Sequence, residues 1–115
     1  MKFNPRTHFL VLSAVCLFSA GALQAQSIAI SPGYTNVGVN QTVQYTATVT
    51  GLANTTVTWE VSGVVGGNST LGTITTAGLY TAPATVPTAS TLIEALGSDH
   101  KTLGLVYVNV ASVGP

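Results

Sequence analysis

The chain has 115 residues with only three basic and three acidic side chains, and its formal net charge is zero. This length suits one domain, and such sparse charge requires a membrane protein to be considered first. The one long apolar run, residues 9–23, is shorter than the roughly 20 residues of a spanning helix and follows Lys2 and Arg6. A cationic start, an apolar middle and a small-residue exit predict a secretory signal peptide over residues 1–25, with the domain over residues 26–115.

The exit of this leader offers two cleavage points. Cleavage after Ala25 is the first choice, and Ala20-Gly21-Ala22 offers a second site after Ala22. Cys16 raises the alternative of a lipid anchor, but the residues before it do not suit one and apolar residues continue after it. We therefore expect simple cleavage and an exported protein, secreted or at the cell surface, with the periplasm as the remaining alternative.

The domain that follows the leader is weakly acidic and has no cysteine. Lys101 is its single Lys or Arg, against three carboxylates, which gives a net charge near −2 with His100 neutral. Nucleic acid is excluded as a partner because there is no basic stripe. A membrane surface is excluded because there is no polybasic segment. Since disulfides cannot form within it, the domain must be held together by core burial.

The pattern after the leader is that of strands, with no apolar repeat of helical period. Residues 27–31 alternate, Pro32 ends that run, and a short piece over residues 36–39 rejoins a sheet. Residues 42–50 alternate most clearly, with Thr on the outer side and Val43, Tyr45, Ala47 and Val49 inward. Such a period of two is typical of half-buried antiparallel strands.

The second half of the chain continues in the same way. Residues 56–62 form a strand that carries Trp59, which we predict to be the central core residue. Residues 63–69 hold three glycines and predict a loop that needs positive φ. Further strands are predicted over residues 71–75, 79–81, 91–97 and 102–110. About seven short strands at this spacing predict an all-β antiparallel sandwich.

One stretch resembles a known family. Gly72-Thr73-Ile74 followed by Ala77-Gly78-Leu79-Tyr80-Thr81-Ala82-Pro83 is similar to the "G-x-I … G-x-Y-x-A-P" stretch of bacterial group 2 immunoglobulin-like domains, and the strands at residues 43–49 and 57–61 resemble their second and third strands. The resemblance covers residues 27–110. It implies an immunoglobulin-like sandwich, no catalytic residues, and a modular structural or adhesive role outside the cell.

The chain offers little for catalysis or metal binding. Asp99 and His100 are adjacent, but no nucleophile or second ligand is suggested near them, which favours an exposed turn. There is no Gly-x-Ser-x-Gly elbow, no zinc spacing, and the three acidic residues lie on separate segments, which does not suit calcium. We expect no enzyme activity and no cofactor.

The final two strands depart from the usual polar exterior. Their inward residues are predicted to be Ile93, Ala95, Val106, Val108 and Val110. An apolar patch of Leu92, Leu96, Leu105 and Tyr107 is then left on the outer face. Contiguous exposed apolar area often marks a contact surface. The alternatives are a register shift of one residue, which would turn these side chains inward, and coverage by the connector at residues 85–90.

The sequence therefore predicts a non-catalytic extracellular module for adhesion, protein interaction or structural assembly. Its partner is an unidentified protein or glycan, met through the final strands or an unpaired sheet edge. One alternative is a carbohydrate-binding module, which two of Tyr34, Tyr80 and Tyr107 exposed side by side would favour. Another is a spacer domain severed from a larger surface protein, since such domains usually occur in tandem or beside an effector domain.

Overall fold

The computed structural model describes residues 25–112, and this part of the chain is entirely strand, turn and loop. No helix able to cross a bilayer occurs within it. The predicted signal peptide, residues 1–25, lies outside the described residues except for Ala25. The strands are β1 (Ser27–Ser31), β2 (Thr35–Gly38), β3 (Thr42–Gln44), β4 (Thr46–Thr50), β5 (Val57–Val61), β6 (Val64–Val65), β7 (Gly67–Asn68), β8 (Gly72–Ile74), β9 (Leu79–Thr81), β10 (Thr91–Gly97) and β11 (Leu103–Ala111).

The strands form two layers. The front sheet has the order β2-β11-β10-β5-β6, and the back layer combines the sheets β3-β9-β8-β7 and β1-β4. Only Tyr45 separates β3 from β4, and its N–H donates to Gly78 O at 2.9 Å. Every pair is antiparallel except β2 with β11, which is parallel. The predicted all-β, sandwich-like architecture is therefore confirmed for the described residues.

The core lies between these layers because the longer strands turn their apolar sides inward, whereas both residues of the short β6 are exposed. In β10 every second residue is buried, from Thr91 to Gly97, as the period of two requires. Trp59 on β5 is 6 % exposed, which confirms it as a core residue. The other buried apolar side chains are Ile28, Val37, Tyr45, Val61, Ile74, Tyr80, Ala82, Ile93, Ala95, Val108 and Val110.

The first strand of the domain changes sheet at Pro32. Before it, β1 pairs with β4 in the back layer; after it, β2 pairs with β11 in the front sheet. Proline has no N–H to donate, so it suits the point where one ladder ends and the next has not begun. The predicted second piece is thus confirmed, one residue earlier than expected at each end.

Two predictions for the middle of the chain were incomplete. The strand over residues 42–50 is divided at Tyr45, because its pairing partner changes there from β9 to β1. The loop over residues 63–69 instead contains two-residue strands, β6 paired with β5 and β7 paired with β8. The expected positive φ is present at Gly63, Gly66 and Gly67, and it allows the chain to reverse within so short a segment. The segmentation raises the strand count from about seven to eleven.

Two buried tyrosines in the core differ in how their hydroxyls are satisfied. The Tyr80 hydroxyl donates to Leu71 O at 2.7 Å, whereas the Tyr45 hydroxyl has no hydrogen-bond partner among the described residues. Burial, and then proximity to Tyr45, raises the pKa of Tyr80 to about 12. Burial also raises the pKa of Tyr45, and the nearby Thr35 hydroxyl opposes that shift only in part. The Thr35 hydroxyl donates its proton to Gly33 O, which leaves the Tyr45 hydroxyl without a hydrogen bond within residues 25–112.

The two tyrosines therefore predict opposite outcomes for the same substitution. Tyr80→Phe is expected to lose about 1–2 kcal/mol of unfolding free energy, because a hydrogen bond is lost and the Leu71 carbonyl is left unpaired. Tyr45→Phe is expected to be neutral or stabilising, since it removes a buried polar group without a partner. Urea unfolding at neutral pH measures both. Equal losses in the two variants would contradict this account.

Candidate functional site

The outer face of the front sheet carries the apolar residues that the sequence analysis singled out. The β10–β11 register pairs Leu92 with Tyr107, Glu94 with Leu105 and Leu96 with Leu103. Directly paired residues lie on the same face of a sheet, and the intervening residues are buried, apart from the half-buried Val106. The register shift that would have turned the patch inward has therefore not occurred.

Exposure along this face is uneven but continuous. Tyr107 is 52 % exposed and Leu105 is 48 % exposed, while Leu92 and Leu96 are half-buried. Leu103, opposite Leu96, is also exposed and adds a fifth apolar side chain. We call these five residues the outer patch. That the outer patch is a contact surface stays a prediction.

A cleft borders the outer patch where β11 meets β2. The connector before β10 forms one wall, and Tyr34 and Tyr107 contribute to the lining of its volume of about 410 Å³. Tyr34 is 67 % exposed, whereas Tyr80 is fully buried. Thr35 is paired with Val108 in the parallel β2–β11 ladder. Continuing that register by one residue places the exposed Tyr34 beside the exposed Tyr107. The connector thus flanks Tyr107 and leaves it half-exposed.

Two carboxylates lie side by side on the same face. Glu94 on β10 is directly opposite Glu60 on β5, and each is half-buried. Glu94 also accepts a hydrogen bond from the Gly63 N–H at 2.6 Å. On the far side Glu60 is paired with the exposed Val65. This pair could not be predicted from the sequence, because it depends on which strands, distant in the chain, are neighbours in the sheet.

Asp99 and His100 have a structural place in the β10–β11 turn. The Asp99 carboxylate accepts hydrogen bonds from the N–H groups of Lys101 and Thr102 and from the Thr102 hydroxyl. His100 is exposed with φ of 59°, and its N–H donates to Gly97 O. Asp99 thus organises the turn, and no group of His, Cys, Asp or Glu suited to a metal ion occurs in residues 25–112.

This turn predicts a pH dependence. The Thr102 hydroxyl first, and then the two backbone N–H groups, lower the pKa of Asp99 to about 2 from 3.8. A lowered folded-state pKa means that the stabilisation is complete above about pH 4 and is lost as the pH falls through about 2. Asp99→Asn removes the titrating charge, so stability should fall less steeply between these pH values than in the unmodified protein.

Urea midpoints at several pH values between 2 and 4 measure this slope. Thr102→Val removes the first cause of the lowered Asp99 pKa. Like Asp99→Asn, it should make the urea midpoint depend less steeply on pH. Parallel profiles for the unmodified protein and both variants would contradict a role for the turn.

No protein-family model matches the chain, and the curated proteins include no sequence with a significant match. The functional assignment must therefore come from the residues of the outer face themselves.

Proposed function

We propose that this chain is an exported, immunoglobulin-like module that acts by binding a protein through the outer patch and not by catalysis. The observation that carries the proposal is the exposed apolar surface on β10 and β11. By contrast, the exposed positions of β4 are all threonines, at Thr46, Thr48 and Thr50. Contiguous exposed apolar area on a sheet face is unusual unless something covers it.

The strand order supports the immunoglobulin-like part of the proposal. With β3 and β4 taken as one strand, seven main strands follow one another as A to G: β1, β3/β4, β5, β8, β9, β10 and β11. The back layer then has the order A-B-E-D and the front sheet contains C-F-G. These are the orders of constant-type immunoglobulin sandwiches.

Capture from the extracellular fraction tests the binding surface. The protein is immobilised as wild type, as the patch variant Leu105→Ser/Tyr107→Ser, and as the control Thr46→Ala/Thr48→Ala on the opposite layer. A specific partner should be retained by the wild type and the control and lost by the patch variant. Since all four residues are exposed, each substitution should change stability by only about 0.5 kcal/mol. Identical capture by all three proteins would reject the outer patch.

Export is tested separately by determining where the protein accumulates and which residue forms its N-terminus. Expression of the full chain in a bacterial host should yield a protein outside the cytoplasm that begins at Gln26, or at Leu23 for the second cleavage site. A protein retained with Met1 in the cytoplasm would contradict export, whatever the outer patch binds.

A glycan is the second candidate ligand, and a specific observation favours it. The cleft beside the outer patch brings together Tyr34 and Tyr107, with hydroxyl and amide groups from Thr88, Ser90 and Asn109 around them. Aromatic faces with a few polar groups suit the apolar and hydroxyl surfaces of a sugar ring. Titration with soluble plant and bacterial oligosaccharides, followed by amide chemical shifts, distinguishes the two sites. Tyr34→Ala should abolish glycan binding and Leu105→Ala should not; no response to any glycan would leave the protein-binding proposal alone.

A further inference from the structure

The carboxylate pair gives the outer face a chemical selectivity that apolar area alone lacks. Across the front sheet one row of paired positions reads Leu105, Glu94, Glu60 and Val65. Two acidic groups are thus set between exposed apolar side chains. Like charges directly opposite each other in a sheet are destabilising, so this arrangement costs folding stability.

Nothing on the front sheet neutralises these charges. The single Lys or Arg of residues 25–112 is Lys101, which lies in the turn beyond the Leu96–Leu103 pair. The Gly63 N–H occupies one oxygen of Glu94, whereas a carboxylate has room for about four hydrogen bonds. Acceptor capacity is therefore left over on the outer side of the sheet, where an approaching molecule can use it.

We propose that the outer patch receives an extended protein segment that presents a basic side chain between two apolar ones, an inference that rests on the proposed function. The outward residues of β10 are Leu92, Glu94 and Leu96, at alternate positions. A strand-like segment also projects every second residue to one side. An apolar–basic–apolar set at positions i, i+2 and i+4 of such a segment therefore matches Leu92, Glu94 and Leu96 in spacing, and its basic group is complementary to Glu94 in charge.

Arginine suits the basic position better than lysine. Its planar guanidinium donates in a fork that two neighbouring carboxylates can share, and charge-assisted hydrogen bonds of this kind are the stronger ones. Burial of the guanidinium plane against Leu105 or Tyr107 adds apolar contact, as arginine does at many interfaces.

A second copy of this chain is the less suitable occupant. Residues 25–112 carry one lysine against three carboxylates, and the face itself has the glutamates but no cation. Pairing two such faces brings four carboxylates into one apolar interface, and like-charge contacts oppose association. The charge of the face thus selects a different molecule, and one with basic groups.

Two peptides test the inference directly. The probes are acetyl-Thr-Leu-Thr-Arg-Thr-Leu-Thr-amide and the same peptide with citrulline, which is neutral and close to arginine in shape. Each is titrated into isotopically labelled protein, expressed from the full chain, while amide chemical shifts are followed. The arginine peptide should shift the amides of β10 and β11 and bind about tenfold more tightly than the citrulline peptide, with the difference shrinking as salt is added.

Variants separate charge from apolar contact. Glu60→Gln/Glu94→Gln should bring the ratio of the two affinities close to one, whereas Asp99→Asn, which removes a carboxylate away from the face, should leave the ratio unchanged. Leu105→Ala should weaken both peptides alike. If both peptides shift the same amides with equal affinity, the charge inference is overturned and the proposed function stands. The inference is also overturned if neither peptide shifts the outer-face amides, or if the protein dimerises through them on concentration; the capture experiment then decides the proposed function by itself.

Discussion

Replacing Trp59 with alanine is expected to remove about 3–5 kcal/mol of unfolding free energy, the range for large aromatic residues in a core. Trp59 is the single tryptophan of the chain and projects from the middle of β5 into the space between the layers. Its neighbours on both sides are fixed, since it is paired with Ala95 and lies against Gly78. Strand pairing prevents these neighbours from closing the cavity, so little of the loss can be recovered.

Urea or thermal unfolding measures the effect, and two variants make it interpretable. Trp59→Phe keeps an aromatic ring and should lose clearly less than Trp59→Ala. Tyr107→Ala removes an aromatic side chain that is half-exposed, so it should change stability by about 0.5 kcal/mol. Because small domains have a total stability of about 5–15 kcal/mol, Trp59→Ala alone could leave the chain unfolded. The order of stability of the three variants, with Trp59→Ala the lowest, then still tests the prediction. A Trp59→Phe loss no larger than that of Tyr107→Ala would show that the indole is not the central support of this core.

The strands that could be predicted from sequence are those whose two faces meet different surroundings. β10 runs over Thr91–Gly97 as expected, and its alternating burial follows its alternating sequence. In β4 the threonines are exposed while Ala47 and Val49 are half-buried. Where one face of a strand is apolar and the other polar, the local sequence predicts both its period and its register. A one-residue slip would turn the apolar side chains outward and the polar ones inward.

The strands that were missed have no such contrast. β6 and β7 consist of Val64–Val65 and Gly67–Asn68, too short for any period to be seen. Their pairing depends on three glycines at positive φ and on the neighbouring β5 and β8, which the local sequence does not reveal. Nonlocal pairing also decided the division at Tyr45, since its side chain gives no sign that the strand changes partner there.

The same distinction explains what could be predicted of the candidate site. The alternation of side chains within two strands determines which residues point outward, so the sequence alone could predict it for Leu92, Leu96, Leu105 and Tyr107. Leu103 belongs to the same outer face, but its contribution became clear only once the register paired it with Leu96. The carboxylate pair and the two neighbouring tyrosines each join strands that are far apart in the chain, and only the sheet order brings them together.

Gly78→Ala is the second substitution with a large expected effect, a loss of about 2–5 kcal/mol. The Gly78 φ is +88°, a left-handed conformation that costs an L residue roughly 1–2 kcal/mol. A Cβ at this position would also lie 2.5 Å from Tyr45 O and 3.0 Å from Cζ2 of Trp59. Neither neighbour can move freely, because Gly78 O accepts the Tyr45 N–H and the indole is packed in the core. Such overpacking adds about 1–3 kcal/mol.

Two other glycines separate the backbone cost from the packing cost. Gly63 has φ of +85°, but a Cβ added there would meet open space, so Gly63→Ala should lose only the backbone part of the unfolding free energy, about 1–2 kcal/mol. Gly33 has neither a positive φ nor a close neighbour, and Gly33→Ala should be neutral or slightly stabilising because it restricts the unfolded chain. Unfolding of the three variants by urea should therefore rank Gly78→Ala as the least stable and Gly33→Ala as the most stable. If Gly78→Ala and Gly63→Ala lose the same unfolding free energy, the close contact between Gly78 and Trp59 adds no packing cost. The tight packing of β5 against the turn before β9 would then not contribute to stability.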